Sequence, residues 1–356
     1  MAHALAERGL KPSLVLTGQH SRLDPADFGL DRYPAQQLSC PGEEDPHCHV
    51  ERVCAALQPT LDRGPALLVV QGDTSSAMGG ALAGAAAAVP VAHVEAGLRT
   101  HDPLLPWPEE EYRVAIDGVA DLLFAPTAVA AANLSAERVS GEVHVTGNTS
   151  IDAVLALEAA LPPPGPRRGS LPRLLVTAHR RESWGDGLRW IAAALRELAN
   201  EAVIEFVLHP NAHVAATMRA ELRGIETIHL IPPCSQVELV RRMRDCDLLL
   251  SDSGGIQEEA PALGVPLLVL RDKTERPEGL ACGSALLVGT SHERIVTEAR
   301  RVLRDGTLGM RGRAFPYGDG KAGPRIAAII DDWLRRADGV ASARANDRGL
   351  PHSQSR

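Results

Sequence analysis

The chain has six cysteines but no Cys-x-x-Cys pair, so free thiols are the default reading. Cys40, His47, Cys48, His49 and Cys54 fall close together, yet their spacing matches no zinc pattern, and no metal is expected. No apolar run is long enough to cross a bilayer: stretches such as ALAGAAAAVPVA are Ala-rich and short, and no charged-then-apolar signal pattern opens the chain. A basic excess is also missing. Lys and Arg total 37 against 45 Asp and Glu, a net charge of −8, and the cations are scattered, so no basic face is offered to nucleic acid or an acidic membrane. These absences predict a cytoplasmic protein with neither kind of partner, in which any anionic ligand is held locally.

What is present is an alternation of short apolar runs with helix-length stretches, the pattern of a parallel sheet covered on both faces. At roughly 100 to 200 residues per domain, 356 residues suggest two domains. One series contains SLVLTG, ALLVVQGD, PVAHVEA, DLLFAPT and EVHVTGN, with helices predicted at 76–88, 109–120 and 129–140. The second contains RLLVTAHR, VIEFVLHPN, TIHLIPP, DLLLSDSGG and PLLVLRD. The Pro-rich stretch 161–172 cannot continue a helix. It predicts a linker between an N-terminal Rossmann-like domain over 1–160 and a C-terminal one over 173–336. Apolar periodicity stops near Trp333, and 337–356 reads as a disordered tail.

Such sheets bind ligands at the carboxyl ends of their strands, where polar residues are plentiful here, so the expected site is the cleft between the two domains. In LLLSDSGGIQEEAPALG a strand stops at a turn and a helix starts. Ser253, Gly254 and Gly255 therefore offer exposed amides and a positive helix end to a phosphate. Glu258 and Glu259 follow, one of which can accept from ribose hydroxyls, although solvated glutamates at a plain helix start are an equally good reading. Asp73, Glu95 and Glu109 sit at strand or helix edges and can supply an acid and a base together. Singly, each reads as a cap or an ion-pair partner, such as Glu109 with Arg113 at i,i+4. His179, Arg180, Arg181 and Arg271 are positive groups at strand ends, suited to a diphosphate or else to pairing with Glu182 and Asp272. His209, beside Pro210 and Asn211, divides the same way.

Taken together, QGDT, HVEAGLRT, PWPEEEYR, VTGNTSIDA, TAHRRESWGDG, SDSGGIQEEAPALGVPLLVLRD, TERPEG and PYGDGKA resemble the successive motifs of bacterial non-hydrolysing UDP-N-acetylglucosamine 2-epimerases, in order from Leu67 to Ile330. The resemblance implies the two-domain glycosyltransferase-B fold, isomerase activity between UDP-N-acetylglucosamine and UDP-N-acetylmannosamine without a cofactor, a homodimer, and a place in surface-polysaccharide biosynthesis. It makes Asp73, Glu95 and Glu109 the catalytic carboxylates and His179 the catalytic histidine. Ser253, Gly254, Gly255 and Glu259 match its UDP-binding turn and ribose contact. Arg113, Arg180, His209, Asn211 and Arg271 complete the expected substrate-binding set.

Two departures stand out. The family opens with a strand and a GTRPE turn, whereas this sequence starts in what looks like the following helix, so a normally central strand is expected to be missing and to lie upstream of Met1. The segment TGQHSRLDPADFGL also differs from the family where a second, activating substrate binds, although Gln19 and His20 remain. A glycosyltransferase or hydrolysing epimerase of the same fold, or an impaired nucleotide-sugar binder, are the competing expectations.

Overall fold

The computed structural model describes residues 1–19, 23–164, 169–178, 185–308 and 312–347, with 338–347 described as backbone alone. They form two compact units. The first holds Met1–Gly97, Trp107–Thr146 and the chain from Lys321; the second holds Leu98–Pro106 and Gly147–Gly320.

The first unit begins with α1 (Ala2–Glu7), β1 (Leu14–Leu16), β2 (Ala35–Gln37) and α2 (Pro46–Leu61). It continues through β3 (Leu68–Gln71), α3 (Ser75–Ala86), β4 (Val91–Val94), α4 (Glu109–Val119), β5 (Leu122–Ala125), α5 (Ala128–Glu137) and β6 (Glu142–Val145). Every strand predicted from the first apolar series is present. The sheet, however, is in two parallel pieces: β1 pairs with β2, and β3-β4-β5-β6 form a separate run. β4 and β5 are buried at every residue, as interior strands of a parallel sheet should be, while β3 is only partly buried at Leu68 and Val69 and forms an edge. The small residues of α3 have a packing purpose. A Cβ at Gly79 would stand 2.8 Å from the Val53 side chain, so α2 and α3 approach as closely as they do only because glycine is there.

The second unit runs through α6 (Thr149–Ala160), β7 (Arg173–Thr177), α7 (Asp186–Leu198), β8 (Val203–Val207), α8 (Ala212–Glu221), β9 (Ile228–Ile231) and α9 (Gln236–Asp245). Then follow β10 (Leu248–Ser251), α10 (Gly254–Leu263), β11 (Leu267–Val269), α11 (Pro277–Ala281), β12 (Ala285–Leu287) and α12 (His292–Asp305). Its six strands are parallel in the order β12-β11-β10-β7-β8-β9. This is a doubly wound sheet whose order reverses between β7 and β10, the position at which such sheets open a crevice. α7, α8 and α12 cover one face and α6, α9 and α10 the other.

The boundaries differ from those expected at 160 and 173. α6 belongs to the second unit because Ile151 and Val154 are buried with Leu175, Met243 and Leu263, so the Pro-rich stretch from 161 joins two elements of one unit. The chain then returns to the first unit as α13 (Ala322–Asp347), whose Ile326, Ala327 and Ile330 pack with Leu5, Ala92, Val94 and Phe124. α13 continues to Asp347, past residue 337 where a disordered tail was expected: Ala and Arg are good helix formers and extend a helix that packing has already nucleated.

Candidate active site

In the first unit the predicted acids stand on strand-end turns. Asp73 follows β3 by way of Gly72, which has φ +68°, and Glu95 follows β4 with a φ of +72° of its own. A left-handed glutamate is strained, and such strain collects at functional sites. The Glu95 and Ala96 amides both donate to the Phe124 carbonyl at 3.1 Å, which holds the turn. A Cβ on Gly72 would lie 3.5 Å from Glu95 Oε2, so the Glu95 carboxylate rests against the residue preceding Asp73. The structure thus sets Asp73 and Glu95 at the ends of adjacent strands.

Glu109 opens α4, where it and the next two glutamates complement the positive helix end. Arg113, one turn on and almost wholly buried, donates Nε and Nη2 to Asp73 Oδ2, each at 2.8 Å, and Nη1 to Glu110 Oε2 at 2.7 Å. The observed i,i+3 partner is therefore Glu110, and Arg113 is a clamp on Asp73. Two charge-assisted bonds to one oxygen fix that carboxylate while leaving it partly open to solvent, 28% exposed.

In the second unit Ser251 ends β10 and Asp252 follows it, both fully buried, and the Ser251 hydroxyl, 2.7 Å from Thr177 Oγ1, accepts from the Ser253 amide at 3.0 Å. Ser253 enters α10 without a side-chain cap, so the helix presents its first amides as an anion site does. The space beside Gly254 is filled by Arg276, whose Nη1 would lie 2.7 Å from any Cβ there. Glycine at this position makes room for a guanidinium.

Glu258 and Glu259 separate cleanly. Glu258 is buried, accepting from Arg276 Nε at 2.6 Å, Asn148 Nδ2 at 2.6 Å and Ser150 Oγ at 3.3 Å. Glu259 accepts a long bond from Gln236 Nε2 at 3.4 Å, and burial pushes its carboxyl up to about 7. Of the two, Glu259 has the acceptor capacity for a ligand hydroxyl.

Arg271 donates to Glu275 Oε2 at 3.0 Å, not to the neighbouring Asp272, and Glu275 also pairs with Arg276. Arg271, Arg276, Glu275 and Glu258 therefore form a buried set of two cations and two anions.

Asn211 commits its side-chain oxygen to capping α8, accepting from the His213 and Val214 amides. His209 Nδ1 accepts from the Asn211 amide at 2.9 Å, and burial holds its ring below the usual imidazole range. His179 and Arg180 lie outside the described residues.

Residues 3–331 match the family model for UDP-N-acetylglucosamine 2-epimerase. The chain belongs to the UDP-N-acetylglucosamine 2-epimerase family. The Yersinia pestis UDP-N-acetylglucosamine 2-epimerase is 41% identical over 93% of both chains, and that of Escherichia coli K12 is 39% identical over 78% of this chain and 79% of its own. Among solved structures, the Neisseria meningitidis UDP-GlcNAc 2-epimerase bound to UDP-GlcNAc is 33% identical with a TM-score of 0.79, covering 86% of this chain and 87% of that one. The Methanocaldococcus jannaschii epimerase in complex with UDP-GlcNAc and UDP is 29% identical with a TM-score of 0.78, covering 92% and 94%. The fold is accordingly of the two-domain glycosyltransferase-B type, and the chain is an epimerase by family.

Asn148, Glu275 and Arg276 escaped the sequence reading although VTGNTSIDA and TERPEG were both visible. Nothing in either motif shows that Asn148 and Arg276, so far apart in sequence, meet at the buried Glu258.

Proposed function

We propose that the protein interconverts UDP-N-acetylglucosamine and UDP-N-acetylmannosamine and retains UDP, the non-hydrolysing reaction. The observation that carries this reading is the pairing of Asp73 and Glu95 on adjacent strand ends, with Asp73 clamped by Arg113. Inversion at C2 requires a base for one face and an acid for the other, a need that simple transfer of a sugar does not share.

The C2 proton of the sugar is weakly acidic, so the reaction runs through cleavage of the anomeric C–O bond. That bond breaks with its electron pair going to UDP, the C2 proton passes to a carboxylate, and a 2-acetamidoglucal results. In the return step a proton is delivered to the opposite face of C2, and the UDP oxygen re-forms the bond at C1. Negative charge grows on the diphosphate as the bond breaks, so the amides at Ser253, Gly254 and Gly255 stabilise the transition state more than the ground state. Glu259 accepts from the ribose. Asp73, Glu95 and Glu109 share the proton transfers, and the protein works as a homodimer.

Resolving the products of UDP-N-acetylglucosamine by ion-exchange chromatography tests the reading. Formation of UDP-N-acetylmannosamine with UDP held in the nucleotide sugar is expected. Stoichiometric free UDP and free N-acetylmannosamine would instead make the enzyme a hydrolysing epimerase, and no new sugar would remove the activity.

A further inference from the structure

Beneath the acids of the first unit lies a pair that the mechanism above does not use. His93 on β4 and Asp117 on α4 are both fully buried, with His93 Nδ1 2.6 Å from Asp117 Oδ1. The other ring nitrogen, Nε2, is 3.0 Å from the carbonyl oxygen of Gly72. That oxygen can only accept, so Nε2 carries a proton. The close approach of Nδ1 to a carboxylate oxygen requires a proton there too. The second Asp117 oxygen accepts from the Gly97 amide at 3.1 Å, which favours the carboxylate anion and leaves the shared proton on the ring.

Both contacts land beside the acids. Gly72 immediately precedes Asp73, and Gly97 stands two residues after Glu95. Gly72, Glu95 and Gly97 all have positive φ, of +68°, +72° and +83°. One buried pair thus spans two turns whose backbone is held in a sparsely populated conformation, and those turns aim the two carboxylates. A buried ion pair is weak evidence for stability alone, because apolar replacements often serve as well. Its value here is where its two ends are fixed.

We infer that His93 and Asp117 form an imidazolium–carboxylate pair that positions Asp73 and Glu95, making both members positioning residues for proton exchange at C2. The inference rests on Asp73 and Glu95 as the proton-transfer acids.

Two readouts test it on the full chain. In histidine-labelled protein, nitrogen NMR should show both His93 ring nitrogens protonated at neutral pH; a ring with one protonated nitrogen overturns the charged pair. In kinetics, Asp117→Ala should lower kcat about 100-fold, as a misplacement near 1 Å does, with KM little changed. Asp117→Asn keeps the shape, turning its amide to Nδ1 and its oxygen to the Gly97 amide, and should recover most of that turnover. Leu57→Ala, a core change elsewhere in the unit, should lower thermal stability without the kcat loss. Wild-type kcat in Asp117→Ala, or a loss no greater than that of Leu57→Ala, overturns the positioning role. If wild-type enzyme makes no epimer at all, the proposed reaction fails, while the ring measurement still decides the pair.

Discussion

The two units hold functional groups by opposite means. In the first, Asp73 and Glu95 sit on left-handed turns kept in place by Arg113 and by bonds to buried polar groups. In the second, the turn proposed to bind nucleotide is an ordinary helix start, uncapped and set beside a buried group of two arginines and two glutamates. Strain accompanies the groups proposed to exchange protons; unstrained amides accompany the group proposed to bind. The sheets show a parallel contrast, with six continuous strands in the second unit and two separate pieces in the first.

The comparison predicts that changes in the two units separate turnover from binding. The largest effect is expected for Asp73→Asn and Glu95→Gln, which keep shape but cannot exchange protons. Turnover should fall on the order of 10²- to 10⁴-fold, while UDP affinity measured by calorimetry stays within a few-fold of wild type. Parallel loss of UDP affinity would erase the division of labour between the units.

Next is Arg276→Ala, which leaves Glu258 and Glu275 buried without their shared cation. Removing one partner of a buried pair costs about 3 to 5 kcal/mol, so thermal unfolding should show a large fall in Tm. A fall comparable to that of an exposed Arg→Ala would mean that the network contributes little.

A smaller effect should distinguish the two glycines of the turn. Gly254→Ala drives a Cβ into the pinned Arg276 guanidinium, whereas at Gly255 the nearest atom is Glu259 Oε1 at 3.9 Å. UDP affinity should drop about tenfold in the first variant, a shift near 1.4 kcal/mol, and much less in the second. Equal losses would show that phosphate contact rather than Arg276 sets the requirement for glycine.

The smallest effect is on pH dependence. Burial raises the Glu259 carboxyl to about 7, and the carboxylate form is the better acceptor for a ribose hydroxyl. UDP affinity should therefore strengthen as pH rises through about 7, and Glu259→Gln should flatten that rise. The stability effect has the opposite sign. Because the folded value lies above the unfolded one, the unfolded chain loses its proton first, and the contribution of Glu259, fully present below the ordinary carboxyl range, is lost as pH climbs to about 7.

Much of this was legible in sequence because strand-end acids, a Ser-Gly-Gly helix start and alternating apolar runs are local signals. The short strand β2 was not, since Ala35–Gln37 is mainly polar and carries no apolar run, and the three-residue β12 also passed unread. The unit boundary was misplaced because the Pro-rich stretch after α6 is a conspicuous local feature, whereas Ile151 and Val154 disclose their allegiance only through packing. Likewise, the contact of Arg113 with Glu110 appears only in three dimensions, since spacing alone points to Glu109.

The central claim is that carboxylates of the first unit exchange the proton at C2 during inversion. Incubating the protein with UDP-N-acetylglucosamine in deuterated water and reading C2 by proton NMR tests it most directly. The account predicts that every UDP-N-acetylmannosamine formed carries deuterium at C2, and that Glu95→Gln slows its incorporation together with epimer formation. Epimer that retains the original C2 proton would contradict it.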